Sequence, residues 1–250
     1  MLIGAVAVAV FFVAWELASR AALVNPVFLS SPSRIAAAAA AMAASGELVG
    51  HLRVSSIELS LGYLLAVVLA VPTGLAAGWY PRLRFALAPF VWGLYATPRV
   101  AFLPLIILWI GIGLWSKVAV VLLGAFFPIC ISTMSGVETV ERTHLNIART
   151  FRASEMQILR TIVVPTTLPF ILTGLRLGVG RALIGIVVAE IYAASAGVGY
   201  LIIVSGSTFQ TDRLFVGIAI LSGFGIASNS FFSWAERRTS RWRQHAQREA

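Results

Sequence analysis

The chain has 250 residues, of which 59% are hydrophobic and only 12% charged, and its mean hydropathy is +0.90. A soluble fold of this length could not hide so much apolar surface, so composition excludes an ordinary soluble domain and points to one all-α bundle of membrane spans. The formal net charge of +9 comes from basic residues gathered at the ends of apolar runs, which speaks for membrane orientation rather than a nucleic-acid partner.

In chain order, the first span is predicted near residues 2–22. No Lys or Arg precedes its apolar run and no small-residue cleavage pattern closes it, so it reads as a retained span rather than a signal peptide. The loop that follows holds an alanine-rich stretch, Ile35 to Ala44, predicted as a short helix with Ser33 placed to cap it. Reading that stretch as a seventh span would reverse everything downstream, which the Arg-rich tail opposes.

Five further stretches approach the roughly 20 apolar residues that cross about 30 Å of hydrocarbon. They lie near 57–80, 86–111, 117–137, 168–194 and 214–235. Helices are expected, because a span must satisfy its backbone polar groups internally, and the runs are too continuous for barrel strands. The third carries Pro89, Pro98 and Pro104, so it is expected to kink or break near Thr97 and Pro98. Such a break either lines a pathway or serves packing, and both readings stay open.

Between the fourth and fifth spans, residues 138–165 form the longest internal polar stretch. It reads as two short amphipathic helices bent at Phe151 to Ser154, with Ser154 capping the second. Ile147, Phe151, Ile158, Leu159 and Ile162 are expected to make an apolar strip while the arginines stay wet. A hairpin of this kind at the cytoplasmic face suits docking in a groove on another protein.

With the N-terminus inside, Arg82, Arg84, Arg142, Arg149, Arg152, Arg160, Arg237, Arg238, Arg241, Arg243 and Arg248 become cytoplasmic, as does the C-terminus. One membrane domain is expected, divided into a first span and outer loop (1–56), a core bundle (57–235) with the cytoplasmic loop 138–165 inside it, and a basic tail (236–250).

Ionisable groups at membrane depth cost about 2.5 to 3.5 kcal/mol each on insertion scales. The candidates are Arg99, Arg176, Arg181 and Glu190, with Glu16 and Glu58 nearer span ends. Pro98, Arg99, Arg181 and Glu190 are candidates to line a translocation path, where the arginines would offset an anion's desolvation; the other reading is that the arginines pair with Glu190 or Glu58 to hold spans together. Gly174 and Gly178 have the spacing that favours close helix packing.

Other chemistry finds little support. Cys130 is the single cysteine, Asp212 the single aspartate, and His51, His144 and His245 are scattered in what read as solvated loops, so neither a metal site nor a membrane-embedded enzyme is expected. No G-x-x-x-x-G-K-[ST] is present, so the chain offers no Walker-type phosphate cradle. Gly197-Val198-Gly199 reads as a turn after the fifth span rather than a dinucleotide loop. A secondary transporter would show repeated halves with paired broken helices, and only one proline-rich span is present.

The stretch 146–165 resembles the cytoplasmic loop of bacterial ABC importer permeases, E-A-A-x3-G-x9-I-x-L-P. Asn146, Ile147 and Ala148 take the first three places, Arg152 the glycine place, and Ile162, Val164 and Pro165 the end. Ala148, Ile162 and Pro165 match and Val164 is conservative, whereas Asn146, Ile147 and Arg152 depart, Arg152 at a bend where glycine accepts positive φ freely. The flanks A-R-T-F-R-A-S, P-F-I-L-T-G-L-R-L-G-V-G-R-A-L-I-G-I-V-V-A-E and A-G-V-G-Y-L-I look like the nitrate, sulfonate and taurine branch.

That resemblance implies about six transmembrane helices and a coupling hairpin formed by Asn146, Ile147, Ala148, Phe151, Arg152, Ala153, Ser154, Ile162 and Pro165. It also implies a permease homodimer in the bacterial inner membrane, two cytoplasmic ATPases that bind the ATP and Mg, a periplasmic solute-binding protein, and a small anionic solute as cargo.

Overall fold

The computed structural model describes residues 2–21, 25 and 27–239. His245, Arg241, Arg243, Arg248 and the tail from residue 240 onward lie outside the described residues, as does the side chain of Arg99. The fold is an all-α polytopic membrane bundle. The helices are α1 (Leu2–Arg20), α2 (Pro32–Ala44), α3 (Glu47–Trp79), α4 (Pro81–Ala96), α5 (Leu103–Ile110), α6 (Leu114–Glu138), α7 (Arg142–Thr150), α8 (Glu155–Ile158), α9 (Val164–Ala193), α10 (Val198–Ser207) and α11 (Thr211–Thr239). Among the described residues, five helices are long and apolar enough to cross a membrane, or six if α4 and α5 count as one broken span. They pack as two compact units, Met1–Ile57 with Val187–Phe224, and Glu58–Ile186 with Gly225–Ala250.

In the first unit, Met42, Leu201 and Val216 form a buried core, closed by Ile35, Ala38, Leu48 and Ile220. Trp15 of α1 donates its indole N–H to the Ser30 carbonyl at 2.8 Å and packs its ring 5.6 Å from that of Phe215. Asp212 sits in the first turn of α11, where a helix favours negative charge. It accepts from the Ser30 hydroxyl at 2.6 Å and pairs with Arg34 at 3.0 Å.

Two boundaries differ from the sequence expectation. The cap of α2 is Ser31, with φ −97° and ψ 152°, accepting the Arg34 N–H. Pro32 occupies the first helical position, where its fixed φ and missing N–H cost nothing, so the helix starts ahead of the alanine run. Ser33 instead donates its hydroxyl to Glu16 at 2.6 Å. Helix α3 starts at Glu47, well before residue 57. No breaker interrupts residues 47–56, and the polar groups there find tertiary partners: Glu47 pairs with Arg213, His51 with Gly197 and Ser55 with Glu190. His51 is therefore a helical residue with a side chain only 14% exposed, not a solvated loop histidine.

In the second unit, α3 and α6 approach along a stripe of small residues. Ala66 and Ala70 are fully buried. A Cβ at Gly74 would lie 2.6 Å from the Cys130 carbonyl, and one at Gly62 2.8 Å from the Val118 carbonyl. Only backbones without side-chain bulk come this close, which is how helices associate where lipid removes the hydrophobic drive. Gly174 and Gly178 do the same for α9, a Cβ on either falling within 3 Å of Ser132 or Ile129 of α6, whereas Gly180 faces open space.

The proline-rich span breaks where expected. Thr97 is extended, with φ −73° and ψ 134°, because the residue before a proline is pushed out of the helical region. A 3-10 turn, Arg99–Phe102, follows, and α4 and α5 meet at 89°.

Candidate coupling hairpin and membrane pocket

The hairpin is built by its own capping chemistry. Helix α7 ends on Phe151, and Arg152 follows with φ 58°. The Arg152 N–H donates to the Arg149 carbonyl at 2.9 Å and the Ala153 N–H to the Ala148 carbonyl at 3.1 Å. This pair of bonds is the Schellman arrangement, in which the residue in the left-handed region closes the helix. Arginine thus stands in the conformation that glycine holds most cheaply, and Arg149 braces the turn from one side by pairing with Glu155 at 3.1 Å. Replacing Arg152 by Gly should raise the stability of the hairpin by about 1 kcal/mol, the left-handed penalty for a residue with a Cβ. Limited proteolysis at the 150–154 bend checks this, and faster cleavage of the variant would refute it.

Ser154 caps α8 as expected, with a full capping box. Its hydroxyl accepts the Gln157 N–H at 3.3 Å, and its own N–H donates to the Gln157 side chain at 2.7 Å. The second arm is not a separate short helix, however. From Glu155 the chain runs as one helical path to Ala193, through a π turn at Leu159–Val163. Pro165 offers no N–H to the preceding turn, and the wider π turn accommodates it without ending the helix.

The expected apolar strip divides in two. Ile158 is fully buried with Val137, Val140 and Val163, and Leu145, Ala148, Ala153, Leu159 and Ile162 pack against that cluster. Ile147 and Phe151 remain outside at 51% and 83% exposure, as does Met156. Ala148 and Ala153 are small because they fill the seam between hairpin and core. Asn146, Arg152, Ser154 and Pro165 are exposed. An open groove of about 670 Å³ runs along the hairpin, lined by His144, Ile147, Ala148, Thr161, Ile162, Pro165 and Thr166.

The break in the third span opens on a pocket of about 380 Å³, lined by Tyr95, Thr97, Pro98 and Val100 on one side and by Val120, Gly124, Arg181 and Gly185 on the other. Arg181 is the charged residue of this lining. Of the other sequence candidates, Arg176 pairs with Glu236 at 3.1 Å. Glu190 is fully buried, accepting the Ser55 hydroxyl at 2.5 Å and the Gly199 N–H at 2.7 Å. It is not among the residues lining the pocket. Glu58 pairs with Lys117 at 2.5 Å, both side chains almost completely buried. No group of three or more His, Cys, Asp or Glu is placed to hold a metal among the described residues.

Sequence reasoning did not single out Lys117 as a buried partner of Glu58, nor the Ser55 and His51 contacts. A polar residue every fourth position at the start of α3, His51, Ser55 and then Glu58 one turn on, was the available signal.

Several spans, a broken helix beside a pocket and an exposed, capped hairpin are features that a membrane transport subunit would carry. Comparison with known proteins gives the same class. Residues 62–241 match the family described as binding-protein-dependent transport system inner membrane component, and the chain belongs to that family of ABC importer permeases, which are not themselves ATPases. It is 36% identical over 94% of its length to the putative aliphatic sulfonates transport permease SsuC of Bacillus subtilis (85% of that protein). It is 31% identical over 96% of its length to the taurine transport system permease TauC of Escherichia coli (89% of that protein). An inward-facing structure of the MetNI methionine ABC transporter has the same fold, with a TM-score of 0.69 at 15% identity, over 78% of this chain and 96% of that one.

Proposed function

We propose that this permease carries a small organic anion of the sulfonate or taurine kind through the pocket at the Thr97–Pro98 break, with Arg181 offsetting the anion's desolvation. The observation that carries the reading is the placement of Arg181 in the wall of that pocket, opposite the extended segment formed by Thr97 and Pro98. A volume of about 380 Å³ is at the small end of ligand sites, and an unwound backbone at membrane depth is tolerated where it borders a cavity. The names of the two relatives point to the same class of cargo.

In this reading two copies of the chain pair in the bacterial inner membrane with both termini cytoplasmic. A dimer of cytoplasmic ATPases holds the ATP and Mg and grips the hairpins through Asn146, Ile147, Ala148, Phe151 and Arg152. A periplasmic binding protein delivers the solute. ATP-driven closure draws the hairpins together and rocks the bundles between inward and outward access, so the hairpin acts as a lever. Ala153, Ser154, Ile162 and Pro165 keep that lever stiff.

The test is uptake of a labelled alkanesulfonate or taurine into vesicles containing the whole importer. Arg181→Ala is expected to lower uptake at least tenfold, Arg181→Lys to recover part of it, and Arg99→Ala to abolish it, with ATPase assembly intact in all three. Wild-type uptake in Arg181→Ala would overturn the pathway assignment.

A further inference from the structure

The three amides that open α10 are all held by side chains. The Gly197 N–H donates to Nδ1 of His51 at 3.0 Å, the Val198 N–H to the Ser55 hydroxyl at 2.8 Å and the Gly199 N–H to Oε2 of Glu190 at 2.7 Å. Ser55 in turn donates its hydroxyl to Oε1 of Glu190 at 2.5 Å, so the three side chains clamp three consecutive amides. Gly197 has φ 124°, and a Cβ there would collide with the Glu190 carboxylate. The segment therefore sits where the clamp dictates. Glu190 has no exposure, and the Ser55 hydroxyl has one proton, which it has already donated. His51 is the member whose capacity to accept can be switched.

We propose that His51 is a proton-operated latch on the start of α10, a positioning residue that holds the helix when neutral and releases it when protonated. An Nδ1 that accepts from Gly197 must be unprotonated, which puts the ring proton on Nε2. Protonation places N–H against N–H at Gly197 and ends that bond. Charged groups approach this site from three elements. Glu47, one turn earlier on α3, has its carboxylate 3.8 Å from Nε2. Glu190 of α9 meets the same Gly197. From α10, the Tyr200 ring lies 6.1 Å away and is neutral. Against them, Arg213 of α11 pairs with Glu47 and draws part of its charge. Once the ring is protonated, Nδ1 has no lone pair left for the Gly197 amide, and that amide is freed.

Hydrogen exchange of the full-length chain in lipid nanodiscs tests this, comparing pH 7.5 with pH 5.5 after correction for intrinsic amide rates. Protection of the amides at 197–199 is expected to fall about fivefold on acidification, the equivalent of one ordinary hydrogen bond, while α6 keeps its protection. In His51→Gln, whose side-chain oxygen accepts but does not titrate, protection should stay flat between the two pH values. His51→Phe, without an acceptor, should be low at both. Unchanged protection in the wild-type chain, a parallel loss throughout α6, or the same acid loss in His51→Gln would each overturn the latch. Nanodiscs expose both faces and no substrate is needed, so such a result would leave the importer reading untouched.

Discussion

Phe151→Asp should leave the membrane bundle folded and yet reduce capture of the cytoplasmic ATPase by at least thirtyfold. The two halves of that expectation rest on different observations. Phe151 is 83% exposed and makes none of the contacts with the Val137, Val140, Ile158 and Val163 cluster that anchors the hairpin, so its loss removes little burial. An aromatic ring left in water at the tip of a rigid, doubly capped turn is the sort of group that fills a pocket on a partner, and truncating such an anchor typically costs 2 kcal/mol or more, about thirtyfold in affinity. An aspartate at the end of α7 also meets the negative end of the helix, which costs up to about 1 kcal/mol. Phe151→Ala separates the terms and should retain most of the loss. Adding Ala148→Asp should remove the remaining binding, although that site is half-buried and the double variant bears less cleanly on docking. Copurification of the tagged permease with its ATPase reads the result, and full retention by Phe151→Asp would remove the ring from the coupling surface.

The features most legible in the sequence were those carried by local chemistry. Pro98 forces the residue before it out of the helix, and the break falls there. Ser154 with Gln157 three residues on spells a capping box, and the box is formed. What was not legible depended on partners distant in the chain. The α3 start at Glu47 is stabilised by Arg213, Gly197 and Glu190, which lie more than a hundred residues away, so its polar residues read as loop. Arg152 shows a limit of a different kind. The conformation is set by the two Schellman bonds and the packing of Ala148 and Ala153, and these outweigh the small preference of a single residue. The stripe Gly62, Ala66, Ala70, Gly74, Gly78, with a small residue at each fourth position, was in plain view. Continuous hydrophobicity hid it, because a span search weighs apolar content and ignores side-chain size.

The same stripe leads to the second large effect. One turn before Gly62 stands Glu58, where α3 meets α6 through its ion pair with Lys117. Both side chains are less than a tenth exposed, so each charge is tolerated because the other is present. Lys117→Ala should therefore destabilise the packing of α3 on α6 by about 3 to 5 kcal/mol, the usual consequence of leaving a buried charge without its counter-ion. Glu58→Ala should do the same. The double replacement Glu58→Gln with Lys117→Met takes both charges away together and should recover most of the loss, since a buried pair seldom contributes much beyond its own desolvation. Thermal unfolding of the detergent-extracted chain, with Glu58→Gln and Lys117→Met also measured singly so that the double-mutant cycle closes, measures the coupling directly. Coupling below about 1 kcal/mol would mean that water reaches the pair and that the glycine and alanine stripe alone sets the register. Strong coupling would make the pair the fixed point of the seam, the place where two otherwise smooth helix faces are kept from sliding past one another as the bundle moves between its states.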